Sequence, residues 1–188
     1  EIIRSRLSDY RFHHSLNVAK EAARLARMYG ADERQAYTAG LLHDIMKDTE
    51  LSAQERILSD YGAELDAIEK QSPMLWHART GEVFLRNILA IDDEDLLRAV
   101  RYHTTGRAHM SLLEKVLFVA DFTSADRNYP DVDVMRAYAN KSLEEAIRYG
   151  VEYTIRSLQE AGRIVHPDTI ALYDEIVLSL ENGGQTNE

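Results

Sequence analysis

The sequence predicts an all-α fold, and three observations carry that prediction. Apolar residues recur at helical spacing along the whole chain. Only three prolines and nine glycines interrupt it. No stretch shows the apolar–polar alternation of a half-buried strand.

The first expected helix, Tyr10–Tyr29, carries Val18, Ala22, Leu25 and Tyr29 on one face, and Gly30 stops it. Asp32 caps the next, Asp32–His43, in which Ala36, Ala39, Gly40 and His43 share a face and Gly40 permits close packing. Ser52–Tyr61 follows. Ser72-Pro73 marks a turn before Trp76–Ile88, because the residue before proline avoids the α region. Asp92–Tyr102 runs up to a turn at Gly106, and Ser111–Thr123 carries the apolar run "EKVLFVADF". Tyr129-Pro130 opens Asp131–Lys141; Leu143–Ala161 comes next, and His166-Pro167 opens Pro167–Leu180. No linker divides the chain, so residues 1–181 read as one domain. "ENGGQTNE" lacks apolar anchors, so 182–188 read as a disordered tail.

Composition narrows the function. A chain of 188 residues can bury a sizeable core. No apolar run approaches the roughly 18 residues of a membrane span. Nothing at Glu1 and beyond reads as a signal peptide, so a cytoplasmic protein without a membrane partner is expected. With no cysteine, thiol, disulfide and iron–sulfur chemistry are excluded, and any metal ligands are His, Asp or Glu. The formal charge of -10 argues against a nucleic-acid polymer as partner. It leaves room for a small polyanion where a local cluster of metal and basic groups reverses the sign.

Polar residues on apolar faces point to a site. His14 lies four residues before Val18, on the buried face, while His13 is turned about a hundred degrees away. For that helix alone, a core histidine held by one hydrogen bond is the plainer reading. "GLLHDIMKD" brings His43 and Asp44 side by side to a helix end, where a capping aspartate beside a histidine is common. Asp121 shares a face with Leu113, Leu117 and Ala120. A carboxylate buried without a partner costs several kcal/mol or becomes neutral. Either a buried ion pair satisfies it, or a metal gives His14, His43, Asp44 and Asp121 one purpose. His77 opens a helix and His103 ends another. In "RYHTTGR", Thr104 and Thr105 offer hydroxyls and Arg107 a bidentate phosphate donor, although a polar surface turn reads the same way.

Together these residues resemble the HD-domain metal-dependent phosphohydrolases, whose pattern of His, His-Asp and a distant Asp on an all-α helical bundle falls here on His14, His43, Asp44 and Asp121. "HHSLNVA", "GLLHDIMKD", "RYHTTGR", "LLEKVLFVADF" and "IVHPDTI" are similar to the YqeK-like subgroup, the symmetrical diadenosine tetraphosphate hydrolases of bacteria. The likeness runs from about Arg11 to Tyr173. It implies that His14, His43, Asp44 and Asp121 hold one metal. His77 and His103 hold a second, with Asp44 bridging a dinuclear centre, usually of iron. It places Arg11, Lys47, His77, His103, Thr104, Thr105 and Arg107 around the phosphates, and implies a nucleotide substrate and ADP as product. A homodimer is left open. His109 reads as a solvated loop residue, and His166 as a packing or capping residue outside the metal site.

Hydrolysis of a phosphoanhydride needs neutralised phosphate charge, a nucleophilic hydroxide and in-line geometry. Two cations roughly 3.5–4 Å apart supply all three, so no serine or cysteine nucleophile is needed. Mixed imidazole and carboxylate ligation suits iron, manganese or another divalent metal. The reading is attack by a metal-bound hydroxide on a central phosphorus. Asp44, His77 and Lys47 are the catalytic candidates: Lys47 and Arg107 would steady charge, and His77 or a metal-bound water would protonate the leaving group. The alternatives are another HD nucleotide phosphohydrolase, acting on a nucleoside monophosphate, a deoxynucleoside triphosphate or a guanosine alarmone, and a non-catalytic nucleotide- or metal-binding module.

Overall fold

The computed structural model describes residues 1–184, which form eleven α-helices, one 3-10 turn and no strand among the described residues. No helix among them is long and apolar enough to cross a membrane. The expected helices form as α2 (Asp9–Tyr29), α3 (Glu33–Leu42), α4 (Leu51–Asp60), α6 (Trp76–Asn87), α7 (Glu94–Tyr102), α8 (Leu112–Thr123), α9 (Val132–Ala139), α10 (Leu143–Glu160) and α11 (Pro167–Gly184).

Two helices go beyond the sequence reading, α1 (Ile2–Arg6) and α5 (Ala67–Gln71). Five residues are too few for a hydrophobic period to register, and such a helix needs outside support. For α5 the support is a capping box: Asp66 accepts from the backbone of Ile68 and Glu69 at 2.8 Å each, and Glu69 accepts from Asp66 N at 2.9 Å. A 3-10 turn, Pro73–Leu75, links α5 to α6. α9 stops two residues before the expected Lys141, and α11 passes the expected Leu180. From residue 185 on, the expected disordered tail lies outside the described residues.

The expected punctuation holds. Gly30 adopts φ 81°, the left-handed conformation that ends α2, and the Asp32 carboxylate accepts from Gln35 N at 2.7 Å to start α3. α8 is the central helix, buried along Val116–Ala120, with α2, α3, α7, α9 and α10 packed around it. A helix that is apolar all round is stable only when so enclosed. α2 and α3 approach closely at Gly40, where an added Cβ would stand 2.6 Å from Ala19 Cα. That closeness sets the ends of the helices facing one another across a cleft.

Candidate metal centre

Five elements deliver six polar side chains to that cleft. α2 carries His14, the end of α3 carries His43 with Asp44 in the following turn, α6 carries His77, the end of α7 carries His103, and α8 carries Asp121. The four histidines and Asp44 are buried. The Asp121 side chain keeps 19% of its surface exposed, so the carboxylate faces the cleft rather than the core. His13 is exposed, as its position on α2 requires.

Each ring is held at its Nδ1. His43 donates to Gly40 O at 2.7 Å, His77 to Met74 O at 2.8 Å and His103 to Val100 O at 2.7 Å, in each case a carbonyl three residues earlier. His14 donates to Asp126 Oδ2 at 2.7 Å. Donation from Nδ1 leaves a lone pair on Nε2, and these lone pairs converge. His77 Nε2 and His103 Nε2 stand 3.2 Å apart, and 3.2 and 3.5 Å from Asp44 Oδ1. His43 Nε2 lies 3.6 Å from Asp44 Oδ2 and 3.9 Å from Asp121 Oδ1, and His14 Nε2 lies 3.1 Å from Asp121 Oδ1. The Nε2 atoms of His14 and His43 are buried and make no hydrogen bond.

Convergent lone pairs and carboxylate oxygens repel one another unless positive charge lies among them, so this donor set fits a cation. At the cleft, two groups have donor atoms within 4.8 Å of one another: His14, His43 and Asp121, and His43, Asp44 and His103; a third such group, Asp66, Glu69 and His166, lies apart from these residues. HD domains bind divalent metals, and these groups can hold one.

The electrostatics agree. Burial pulls His43 and His77 down to about 4, so both are neutral at pH 7. Burial alone would raise Asp44; positive charge on the side of His43, His103 and His77 holds it well below the usual carboxylate range, the sign of charge that a cation among them would supply. Asp121 is likewise held low against burial, by Arg127, His14 and His43. His14 is raised, because Asp121 and Asp126 together outweigh its burial. His77, one of the two proton donors considered for the leaving group, is a neutral ring here with its Nδ1–H on the Met74 carbonyl.

The surrounding expectations divide. Lys47 Nζ reaches His77 Nε2 at 3.1 Å and Asp44 Oδ1 at 3.9 Å, and Arg11 Nη1 lies 3.4 Å from Asp44 Oδ2. Thr104 Oγ1 stands 3.0 Å from His103 Nε2. Thr105 and Arg107 are not brought to the cluster. The Thr105 hydroxyl donates to Gly106 O. Arg107 binds the buried Glu114 carboxylate through Nε and Nη2 at 2.7 Å each, a pair that outcompetes solvent because Glu114 also caps α8. His109 is exposed and pairs with Glu175. His166 accepts from Asp168 N at 3.1 Å, capping α11, and its Nε2 donates to Asp66 at 2.9 Å.

Sequence reading misses two neighbours. Arg127 pairs with Asp121 and donates from Nε to its backbone carbonyl at 2.6 Å, and Asp126 holds His14. Asp121 thus has both an ion pair and a place in the cluster. Asp126 meets His14 across 112 positions of sequence, a contact that no local spacing signals.

The HD-domain profile matches residues 11–126, a span that contains all six cluster residues and Asp126. The chain is 34% identical over 178 residues, 95% of each protein, to the symmetrical bis(5'-nucleosyl)-tetraphosphatase of Halalkalibacterium halodurans. It is 33% identical over 175 residues to the Bacillus subtilis protein of the same name, covering 93% of this chain and 94% of that one. It also superposes on the crystal structure of a predicted HD superfamily hydrolase involved in NAD metabolism from Clostridium acetobutylicum. The TM-score is 0.91, with 33% identity and 95% and 94% of the two chains covered. This chain belongs to the HD-domain family, in the group of the symmetrical bis(5'-nucleosyl)-tetraphosphatases.

Proposed function

We propose that this chain hydrolyses diadenosine tetraphosphate symmetrically to two ADP, at a dinuclear centre formed by His14, His43, Asp44, His77, His103 and Asp121. Iron is the proposed metal, with manganese or another divalent ion as substitutes. The supporting observation is the way Asp44 divides its carboxylate. Oδ1 faces His77 and His103, and Oδ2 faces His43. A bridging carboxylate would present its two oxygens to two neighbouring cations in this way. Bound there, a pair of divalent ions neutralises phosphate charge and makes water acidic enough to act as nucleophile near pH 7.

The chain's own residues do the rest. Nδ1 donation, to carbonyls for His43, His77 and His103 and to Asp126 for His14, fixes each imidazole, so the ligands need no reorganisation when substrate arrives. Lys47 and Arg11 stand beside Asp44 as fixed cations for charge that develops on the phosphate oxygens. Thr104 offers a hydroxyl on the same rim. A water oxygen forms a bond to a central phosphorus, and the bond from that phosphorus to the bridging oxygen breaks with its electron pair leaving on the second ADP. The water's protons pass to the product phosphates or to solvent, so the products are two ADP. The anhydride bonds of the substrate have similar leaving groups, so the choice among them lies in which phosphorus is held over the centre.

Early-time chromatography of diadenosine tetraphosphate digests tests the reading. ADP alone is expected. AMP and ATP in equal amounts would mean that the phosphates are held in another register.

A further inference from the structure

We infer that Asp126 is a positioning residue of the metal centre that acts by charge. Through His14 it makes the half built on His14, His43 and Asp121 hold its cation more tightly than orientation of the ring alone would. This rests on the dinuclear reading above and adds to it a difference between the two halves. The four rings differ in one respect. His43, His77 and His103 each donate from Nδ1 to a backbone carbonyl three residues earlier. His14 donates instead to a carboxylate oxygen, Asp126 Oδ2, at 2.7 Å. A carbonyl is enough to fix tautomer and ring plane. A carboxylate does the same and also raises the basicity of Nε2 as a ligand.

The other oxygen of Asp126, Oδ1, is buried with at most the Ser124 hydroxyl to meet it. A buried carboxylate oxygen so thinly partnered costs stability, and a neutral amide would hold the ring in the same place at less cost. The charge therefore has a purpose beyond orientation, and a cation facing His14 Nε2 supplies one. The fold fixes Asp126 in place. It lies in the loop between α8 and α9, which Arg136 of α9 clasps, donating to the carbonyls of Thr123, Ser124 and Arg127 at 3.2, 3.1 and 3.1 Å. The surrounding charges make the halves unequal. Two carboxylates, Asp121 and Asp126, stand against His14, with the Arg127 guanidinium paired to Asp121. Beside His77 stands Lys47, its Nζ 3.1 Å from Nε2, and among the described residues the carboxylate on that side is the shared Asp44. An extra anion behind one half strengthens its attraction for a divalent ion, and a cation beside the other weakens it.

The test uses the full chain, stripped of metal, with Mn²⁺ titrated in against a fluorescent chelator so that two binding constants are resolved. Asp126→Asn is the deciding variant. Its amide oxygen accepts from His14 Nδ1 as the carboxylate does, its amide nitrogen takes the place of Oδ1 against the Ser124 hydroxyl, and the charge is gone. One constant is expected to weaken at least about tenfold and the other by less than about threefold. Circular dichroism of the metal-free variant is expected to match the wild type. Constants that both stay at wild-type values mean that Asp126 only orients the ring. Constants that weaken alike mean that it serves neither half in particular. Either result overturns the proposal. If the variant fails to fold, the wild type alone decides. Loaded with Zn²⁺, it is read by NMR at the ring Nδ1–H protons, and the His14 proton is expected downfield of the other three, as a carboxylate-held proton is. A His14 proton that falls among the others overturns the proposal. The wild-type titration separates the two failures. With two ions bound and the variant like the wild type, only the role of Asp126 is wrong; with fewer than two bound, the dinuclear reading falls and this inference falls with it.

Discussion

Asp44→Ala is expected to lower kcat/KM for diadenosine tetraphosphate by about a thousandfold or more, since losing even a partner of a ligand costs 10- to 100-fold. The reason is geometric. One carboxylate serves both halves of the cluster, with Oδ1 3.2 Å from His77 and Oδ2 3.6 Å from His43. Its removal leaves His77 and His103 Nε2 facing each other at 3.2 Å with no anion to draw a cation between them. Lys47 and Arg11 also lose the charge they stand beside. The fold should survive, because Asp44 lies in the turn after α3 and its backbone carbonyl still accepts from Lys47 N at 2.8 Å. Circular dichroism of the variant should match the wild type while activity is lost. Near-wild-type turnover would show that Asp44 bridges nothing.

Gly40→Ala is expected to destabilise the protein by about 3 kcal/mol, the upper part of the range for overpacking a core. The added Cβ would lie 2.6 Å from Ala19 Cα and 2.8 Å from Ala19 N. Both are backbone atoms of α2, so no side chain can rotate away and the helices must separate. α2 carries His14 and α3 ends at His43, with ring centroids 5.3 Å apart, so separation should weaken metal binding too. Gly30→Ala is the contrast. Nothing lies within 4 Å of its Cβ, and only the strain of φ 81° opposes it, about 1 kcal/mol. Urea unfolding of the two variants measures the difference; equal midpoints would contradict the close approach of α2 and α3.

How legible these features are in the sequence depends on the range of the interaction. Gly40 and the shared face of Ala36, Ala39 and His43 are local, written in residues three and four apart, and all four positions are buried. Asp32 and Gly30 are local for the same reason. The brief α5 is not, although Asp66 and Glu69 carry the capping-box spacing, because no apolar period flags it. At the site, the inward positions of His14, His43 and Asp121 follow from helix faces. Their hydrogen-bond partners do not. Arg107 reads as a free phosphate donor until the fold lays it against Glu114. Asp126 and Arg127 sit in a polar loop that reads as solvent-facing, and only the packing of α8 against α2 brings them to His14 and Asp121.

The most direct test of the dinuclear hydrolase account is the metal content of the wild-type chain, purified without oxygen and measured by elemental analysis. The account predicts two divalent transition-metal ions per chain, removed by chelators together with the activity. A protein that holds no transition metal, and whose turnover chelators leave unchanged, would contradict it.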